Sequence, residues 1–152
     1  MVLRAVVLDV PDLTWSAGAP APVLVASEDR TLFAFEHTDG QARIAEFVGC
    51  VAVRFGFPND EAQHGHPLWN AGLSFYAAHE VSDSPWVSEL RAIEAVHPMA
   101  AALPFPEARH FMLTFHDSMM EAVARDVAVV SRHRSVEDAV GVSAAAVTSG
   151  GP

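Results

Sequence analysis

The chain has 152 residues, 51% of them apolar and 18% charged, the balance of one folded domain long enough to bury a core. Nineteen acids against nine bases leave a formal charge of −10, which repels phosphate backbones and anionic lipid surfaces, so neither nucleic acid nor membrane is an expected partner. All nine bases are arginine, and without lysine there is no Schiff-base chemistry and no phosphate-loop amine.

In chain order, residues 3–8 read as a first strand. The start, 1–10, is apolar but carries Arg4 and Asp9 and no cleavage signal, and no apolar run approaches the roughly 20 residues of a membrane span, so a cytoplasmic protein is expected. Residues 11–22 hold three prolines and form a loop that Trp15 can pin to the body. Strands at 23–26 and 31–36 flank the polar quartet 27–30, which suits a hairpin, and Asp39-Gly40 makes a second turn. The run 43–57 exceeds an ordinary strand, with Gly49 placed for a bend or bulge. Cys50, the only cysteine, lies inside it and reads as a buried inert thiol.

Between 73 and 82 alternation sets Leu73, Phe75, Ala77 and Val81 against Ser74, Tyr76, Glu80 and Ser82, with His79 on the apolar side. Ser84 caps and Pro85 opens a helix over about 85–97, whose stripe of Trp86, Leu90, Ile93 and His97 can pack on a sheet before Pro98 ends it. A proline-containing loop spans 99–108. Residues 110–116 alternate most cleanly, with Phe111, Leu113 and Phe115 on one face and His110, Met112, Thr114 and His116 on the other. Asp117 and Ser118 make a turn, and 119–130 reads as the return strand. The tail 135–152 is a weak helix or flexible. The fold expected is α+β and mainly β: a curled or barrel-like antiparallel sheet with one helix packed on it, in a single domain over 1–134.

Chemistry has several places to sit. The polar loop 57–69 carries His64 and His66, which can share a divalent metal if the backbone turns them to one side, with His116 or His110 as a further ligand; otherwise no cofactor is expected. His116, Asp117 and Ser118 contain the residue types of a hydrolase triad, but sequence neighbours on a strand point apart, whereas a triad draws on distant segments. The better version makes His116 a general acid/base oriented by Asp117 or Glu121, with His110 beside it. Glu36, Glu46, Glu80 and Glu121 lie in or beside strands, and two of them facing one cavity would form an acid/base pair. Arg54 and Arg109 are candidates to neutralise such a pair or hold a substrate carboxylate. Arg54, Trp69, Tyr76 and Glu80 are the candidate substrate contacts.

Two resemblances bear on these residues. His64 and His66 resemble the opening of the cupin metal motif, which implies a barrel and a metal-dependent enzyme, although cupins carry a glutamate where this chain has Leu68, Trp69 and Asn70. The combined pattern of residues 58–61, His64-Gly65-His66-Pro67-Leu68, Ser84-Pro85-Trp86 and 110–118 resembles a group of small uncharacterised bacterial proteins. That likeness covers 57–121 and implies a coherent domain without naming an activity.

The leading expectation is a histidine-centred pocket for a small-molecule substrate, with lyase, isomerase or cyclase chemistry that needs no nucleotide cofactor. The alternative is a non-catalytic interaction or homodimerisation module that presents Trp69, Tyr76 and Trp86 as a contact surface.

Overall fold

The alternating apolar runs form nine strands in the computed structural model, which describes residues 2–98 and 107–149. They are β1 (Arg4–Val7), β2 (Val23–Ala26), β3 (Thr31–Glu36), β4 (Ala42–Val48), β5 (Ala52–Gly56), β6 (Ala78–Ser82), β7 (Arg109–Thr114), β8 (Met119–Ala124) and β9 (Asp126–His133). Two helices, α1 (Pro85–Glu94) and α2 (Val136–Thr148), complete the described elements together with short 3-10 turns at Asp60–Gly65 and Trp69–Ala71. One antiparallel sheet runs β1-β6-β7-β8-β5 and a second runs β2-β3-β4-β9. The mainly β, antiparallel architecture with helices is therefore present. The barrel-like curl is not, because both sheets are open.

Two long apolar runs, one expected to bend at Gly49 and one read as a single return strand, are the places where the chain changes sheet. The run 43–57 breaks at Gly49, whose φ of 62° takes it from β4 in one sheet to β5 in the other. The run 119–130 breaks at Arg125, between β8 and β9, and the Arg125 N–H donates to the Val48 carbonyl at 2.8 Å. The two corners meet, since a Cβ at Gly49 would lie 3.1 Å from Arg125 Nε. Gly49 marks the first break in the sequence, whereas Arg125 carries no such signal in the run 119–130.

That core lies between the sheets. Phe33, Phe35, Ala45 and Phe47 meet Phe111, Leu113, Met120 and Ala122, all buried, and Phe47 stacks toward Phe111 with centroids 6.5 Å apart. Trp15 closes one end as the sequence suggests. Its ring stacks on Phe115 at 4.6 Å and its indole N–H donates to the Thr114 carbonyl at 2.9 Å. Nearby, Arg43 is buried with its guanidinium on Asp39 at 2.6 Å and Asp12 at 3.5 Å. That ion pair, with a backbone hydrogen bond from Gln41, holds the Asp39 carboxyl far below its usual range.

The tail is where helix packing is strongest. Ser135 caps α2 by accepting from the Asp138 N–H at 3.1 Å, and Ala139 is fully buried against Leu32, Ala34, Ala42 and Ile44 on the outer face of the four-stranded sheet. The helix at 85 departs from its expected form. It ends at Glu94, and Val87 is its buried residue, while Ile93 of the expected stripe is exposed. The expected loop at 99–108 falls mostly outside the described residues. No helix among the described residues is long and apolar enough to cross a membrane.

Candidate functional site

The outer face of the five-stranded sheet is built differently. Register places Ala5, His79, Val81, His110, Met112, Thr114, Met119, Glu121 and Arg54 on that face, opposite the core residues Phe111 and Leu113. The alternation of β7 thus holds, yet the polar side is also buried, because the segment 57–76 folds across it.

Three devices seat that segment. Asn59 Oδ1 accepts from the Ala62 N–H at 3.1 Å and caps the turn at Asp60–Gly65. Gly72, with φ 103°, lies so close to β1 that a Cβ there would stand 2.0 Å from the Ala5 carbonyl oxygen. Ser74 is the hub: its carbonyl accepts from Gln63 Nε2 at 3.0 Å and from Thr114 Oγ1 at 2.9 Å, while its N–H donates to His79 Nε2 at 3.1 Å. His79 completes the network with Nδ1 on the Met112 carbonyl at 3.1 Å, so its proton sits on Nδ1 and its role is structural. Burial lowers its pKa, against a smaller opposing effect of that carbonyl.

Between this segment and α1 the sheet is left uncovered over a cavity of about 590 Å³. Its floor carries His110 from β7, Glu121 from β8 and Arg54 from β5; His66, Pro67 and Leu68 form one wall, and Ser84, Pro85 and Trp86 the other. His110 Nε2 lies 2.8 Å from Glu121 Oε1, Arg54 reaches the same oxygen at 3.1 Å, and Ser84 Oγ lies 2.7 Å from His110 Nδ1. The Arg54 guanidinium covers the Trp86 ring at 3.8 Å, and that ring meets the His110 imidazole edge-on at 5.3 Å. Phe55 and Phe57 are exposed at the rim.

Burial pushes the Glu121 carboxyl upward, but the hydrogen bond from His110 and the charges of His110 and Arg54 outweigh it and leave the group below its ordinary value. An ionised carboxylate only accepts, so His110 Nε2 carries a proton. In the neutral ring Nδ1 then accepts the Ser84 hydroxyl. Both described hydrogen bonds to Glu121 fall on Oε1, and Oε2 is left to the cavity. Burial lowers the pKa of His66; Glu121 opposes this, while His110 and Arg54 add to it. Its Nδ1 accepts from the Leu68 N–H at 3.1 Å, which puts the proton of the neutral ring on Nε2. The site therefore offers a carboxylate acceptor, an imidazole donor and a cation over a largely apolar floor of Met112, Met119 and Val81.

The expected site residues divide. His110, Glu121, Arg54 and His66 come together. His116 does not join them: β7 ends at Thr114, and the exposed His116 ring pairs through Nδ1 with Asp60 Oδ2 at 2.7 Å. The side chain of Asp117 is largely exposed and 3.9 Å from the other nitrogen of His116, so no triad forms at that turn. Among the described residues no three His, Cys, Asp or Glu side chains gather as a metal-binding group, and His64, exposed on its turn, does not meet His66 and His116 in one. Tyr76, at φ 50°, donates its hydroxyl to Asp60 Oδ2, outside the cavity. Trp69 packs on Phe75 at 5.2 Å, and Phe75 on Tyr76 at 5.7 Å, so the aromatics expected to form one surface split between this ladder and the cavity. Glu80 is held by Arg109 at 2.7 and 2.9 Å and lines an adjoining cavity of about 410 Å³ that shares Val81, Ser84 and His110 with the first, while Glu46 is bound by Arg30 at 3.0 Å. Cys50 is partly buried, its thiol pKa raised by burial, with Sγ donating to the Ala52 carbonyl at 3.3 Å.

Ser84 and Trp86 are cavity residues that sequence reasoning did not place in a pocket: Ser84 was read as a cap, and Trp86 as a packing residue or part of a contact surface. Their signal was position: a cap serine directly after the strand that pairs with His110. No protein-family model matches the chain, and neither the curated proteins nor the solved structures contain a match.

Proposed function

We propose that this domain binds a small, mainly apolar molecule with a polar end in the 590 Å³ cavity and carries out acid/base chemistry on it. One observation carries the proposal. Arg54, His66, His110 and Glu121 come from four separate segments and meet at one concavity, where a packed face would otherwise hold apolar side chains. Glu121 Oε2 is the proton acceptor, His66 Nε2–H the donor for a developing negative charge, and Trp86 with Arg54 the shelf for the ligand's body. That division of labour suits proton abstraction and return, as in isomerases, lyases and cyclases. His110 has both ring nitrogens engaged and acts by orienting Glu121.

The test is a screen of ring-containing fragments bearing amide, carbonyl, amine or carboxylate groups against isotope-labelled protein. Binding should shift the Trp86 indole, the His66 ring and the Met112 and Met119 methyls together. Glu121→Gln should weaken fragments that donate to the carboxylate by about tenfold or more, the worth of a charge-assisted hydrogen bond. Fragments that leave these signals unmoved, or that collect on another face, would overturn the proposal.

A further inference from the structure

The hydrogen-bonded chain at the cavity wall has a second chemical capacity. Ser84, His110 and Glu121 come from the β6–α1 turn, β7 and β8, and stand in line at 2.7 and 2.8 Å. The Arg54 guanidinium fixes the far end at 3.1 Å. Distant segments supplying a hydroxyl, an imidazole and a carboxylate is the arrangement that the His116-Asp117-Ser118 turn lacks.

We propose that Ser84 is a nucleophile and that the domain transfers acyl groups from esters or thioesters with an apolar chain. The proposal rests on the same cavity being a ligand site, but it does not require Glu121 Oε2 to be the base. Two further features support it. The turn from β6 to α1 passes through Asp83 at φ 52°, which lifts Ser84 to the start of the helix against the imidazole. Beyond it Pro85 has no N–H, so the first amide of α1 is that of Trp86, and this N–H has no partner among the described residues. The Val87 N–H is engaged as the cap bond to Ser84 Oγ at 3.3 Å, so in the proposed step the Trp86 N–H is the donor for the oxyanion formed on a carbon bonded to that oxygen.

The step balances within the site. Ser84 Oγ bonds to the acyl carbon as its proton passes to His110 Nδ1, and the imidazolium is held by Glu121 at Nε2. The carbon–oxygen or carbon–sulfur bond to the leaving group breaks, and the departing alcohol or thiol takes the proton from Nδ1. Water or another hydroxyl compound then attacks the acyl-serine, passes its proton to Nδ1, and Ser84 regains it. Here Nδ1 faces the serine and Nε2 the carboxylate; either nitrogen serves as base when the other is held.

The experiment treats the intact protein with alkyl fluorophosphonates of short and medium chain length and maps the adduct by peptide mass spectrometry. Labelling of Ser84, slowed at least 100-fold by His110→Gln and unaffected by Ser118→Ala, is the expected result. Ser84→Gly, which keeps helix initiation nearly intact, should abolish it. No adduct from either probe on folded protein, or an adduct that persists in Ser84→Gly, overturns the proposal. A measurement independent of probe fit is the 15N shift of the His110 ring: a proton found on Nδ1 in the neutral imidazole overturns it too, because that nitrogen could not accept from Ser84. Fragment binding in the cavity without serine labelling would remove this proposal and leave the acid/base reading standing; labelling without fragment binding would do the reverse.

Discussion

The two sheets share a core, but their outer faces are finished in opposite ways. On the four-stranded sheet α2 lays Ala139 and its neighbours over Leu32, Ala34, Ala42 and Ile44, and the contact is mainly apolar, with the hydroxyl of Ser143 the polar group buried on that side of the helix. On the five-stranded sheet an irregular segment is tied down through Ser74, Gln63, Thr114 and His79, and part of the face stays open above His110, Glu121 and Arg54. A helix satisfies its own backbone and can cover a sheet with hydrocarbon alone. A loop must find partners for its amides and carbonyls, and this one draws them from polar side chains of the sheet beneath. The difference separates a face that stabilises from a face that can bind.

The largest test of that contrast is on the helical side. Ala139→Glu buries a carboxylate among four apolar side chains with no described cation beside it, and should cost about 3–5 kcal/mol in denaturant unfolding. A loss below about 1 kcal/mol would mean that α2 is not docked as described. On the loop side the matching change is Gly72→Ala, where a positive φ and a 2.0 Å approach to the Ala5 carbonyl combine. We expect a loss of about 2–4 kcal/mol together with displaced Leu68 and His66 resonances. Gly141 in α2 provides the opposite sign. Nothing lies within 4 Å of a Cβ there, so Gly141→Ala should raise stability by about 0.5–1 kcal/mol and leave the cavity signals in place. Equal effects from the two glycine substitutions would erase the distinction between the faces.

Much of this was legible in the chain. The strands at 23–26 and 31–36 coincide with the apolar runs between turn signals, and Trp15 anchors its loop as its surroundings suggest. His110, Glu121 and Arg54 were accessible to reasoning because a polar residue in an otherwise apolar strand needs a polar surface to face. What could not be read is where a strand stops. His116 continues the alternation of β7 by spacing, but the hydrogen bond from the Phe115 N–H to the Ser118 carbonyl closes the hairpin first and turns His116 away. Nor does local sequence show that Ser84, 26 residues before His110, would meet it, since that contact exists only through the pairing of β6 with β7. His79 was read on the apolar face with Val81, and the two do share a face, but it is the outer face opposite the core between the sheets, and the loop carbonyls and amides that make His79 structural are set by tertiary packing.

The smallest effects fall on the histidines, and they probe the same contrast through protons. His79 lies under the loop with its pKa lowered chiefly by burial, whereas His116 lies outside it with its pKa raised by the hydrogen bond and charge of Asp60. An unfolded imidazole titrates near about 6.5. As pH falls through that value the unfolded chain takes up a proton that folded His79 refuses, so its contribution lowers stability toward acid. His116 works the other way: its contribution is complete below about 6.5 and is lost as pH rises through its higher folded value. Across neutral pH the two slopes oppose one another. His116→Gln should therefore leave a stability profile that climbs more steeply from pH 5 to 8 than the parent's. Ring resonances give the direct check, with the midpoint of His116 above about 6.5 and those of His79 and the cavity residue His66 below it. A His79 ring that titrates at or above that reference would show that water reaches it, and the loop would then be an open flap instead of a wall of the site.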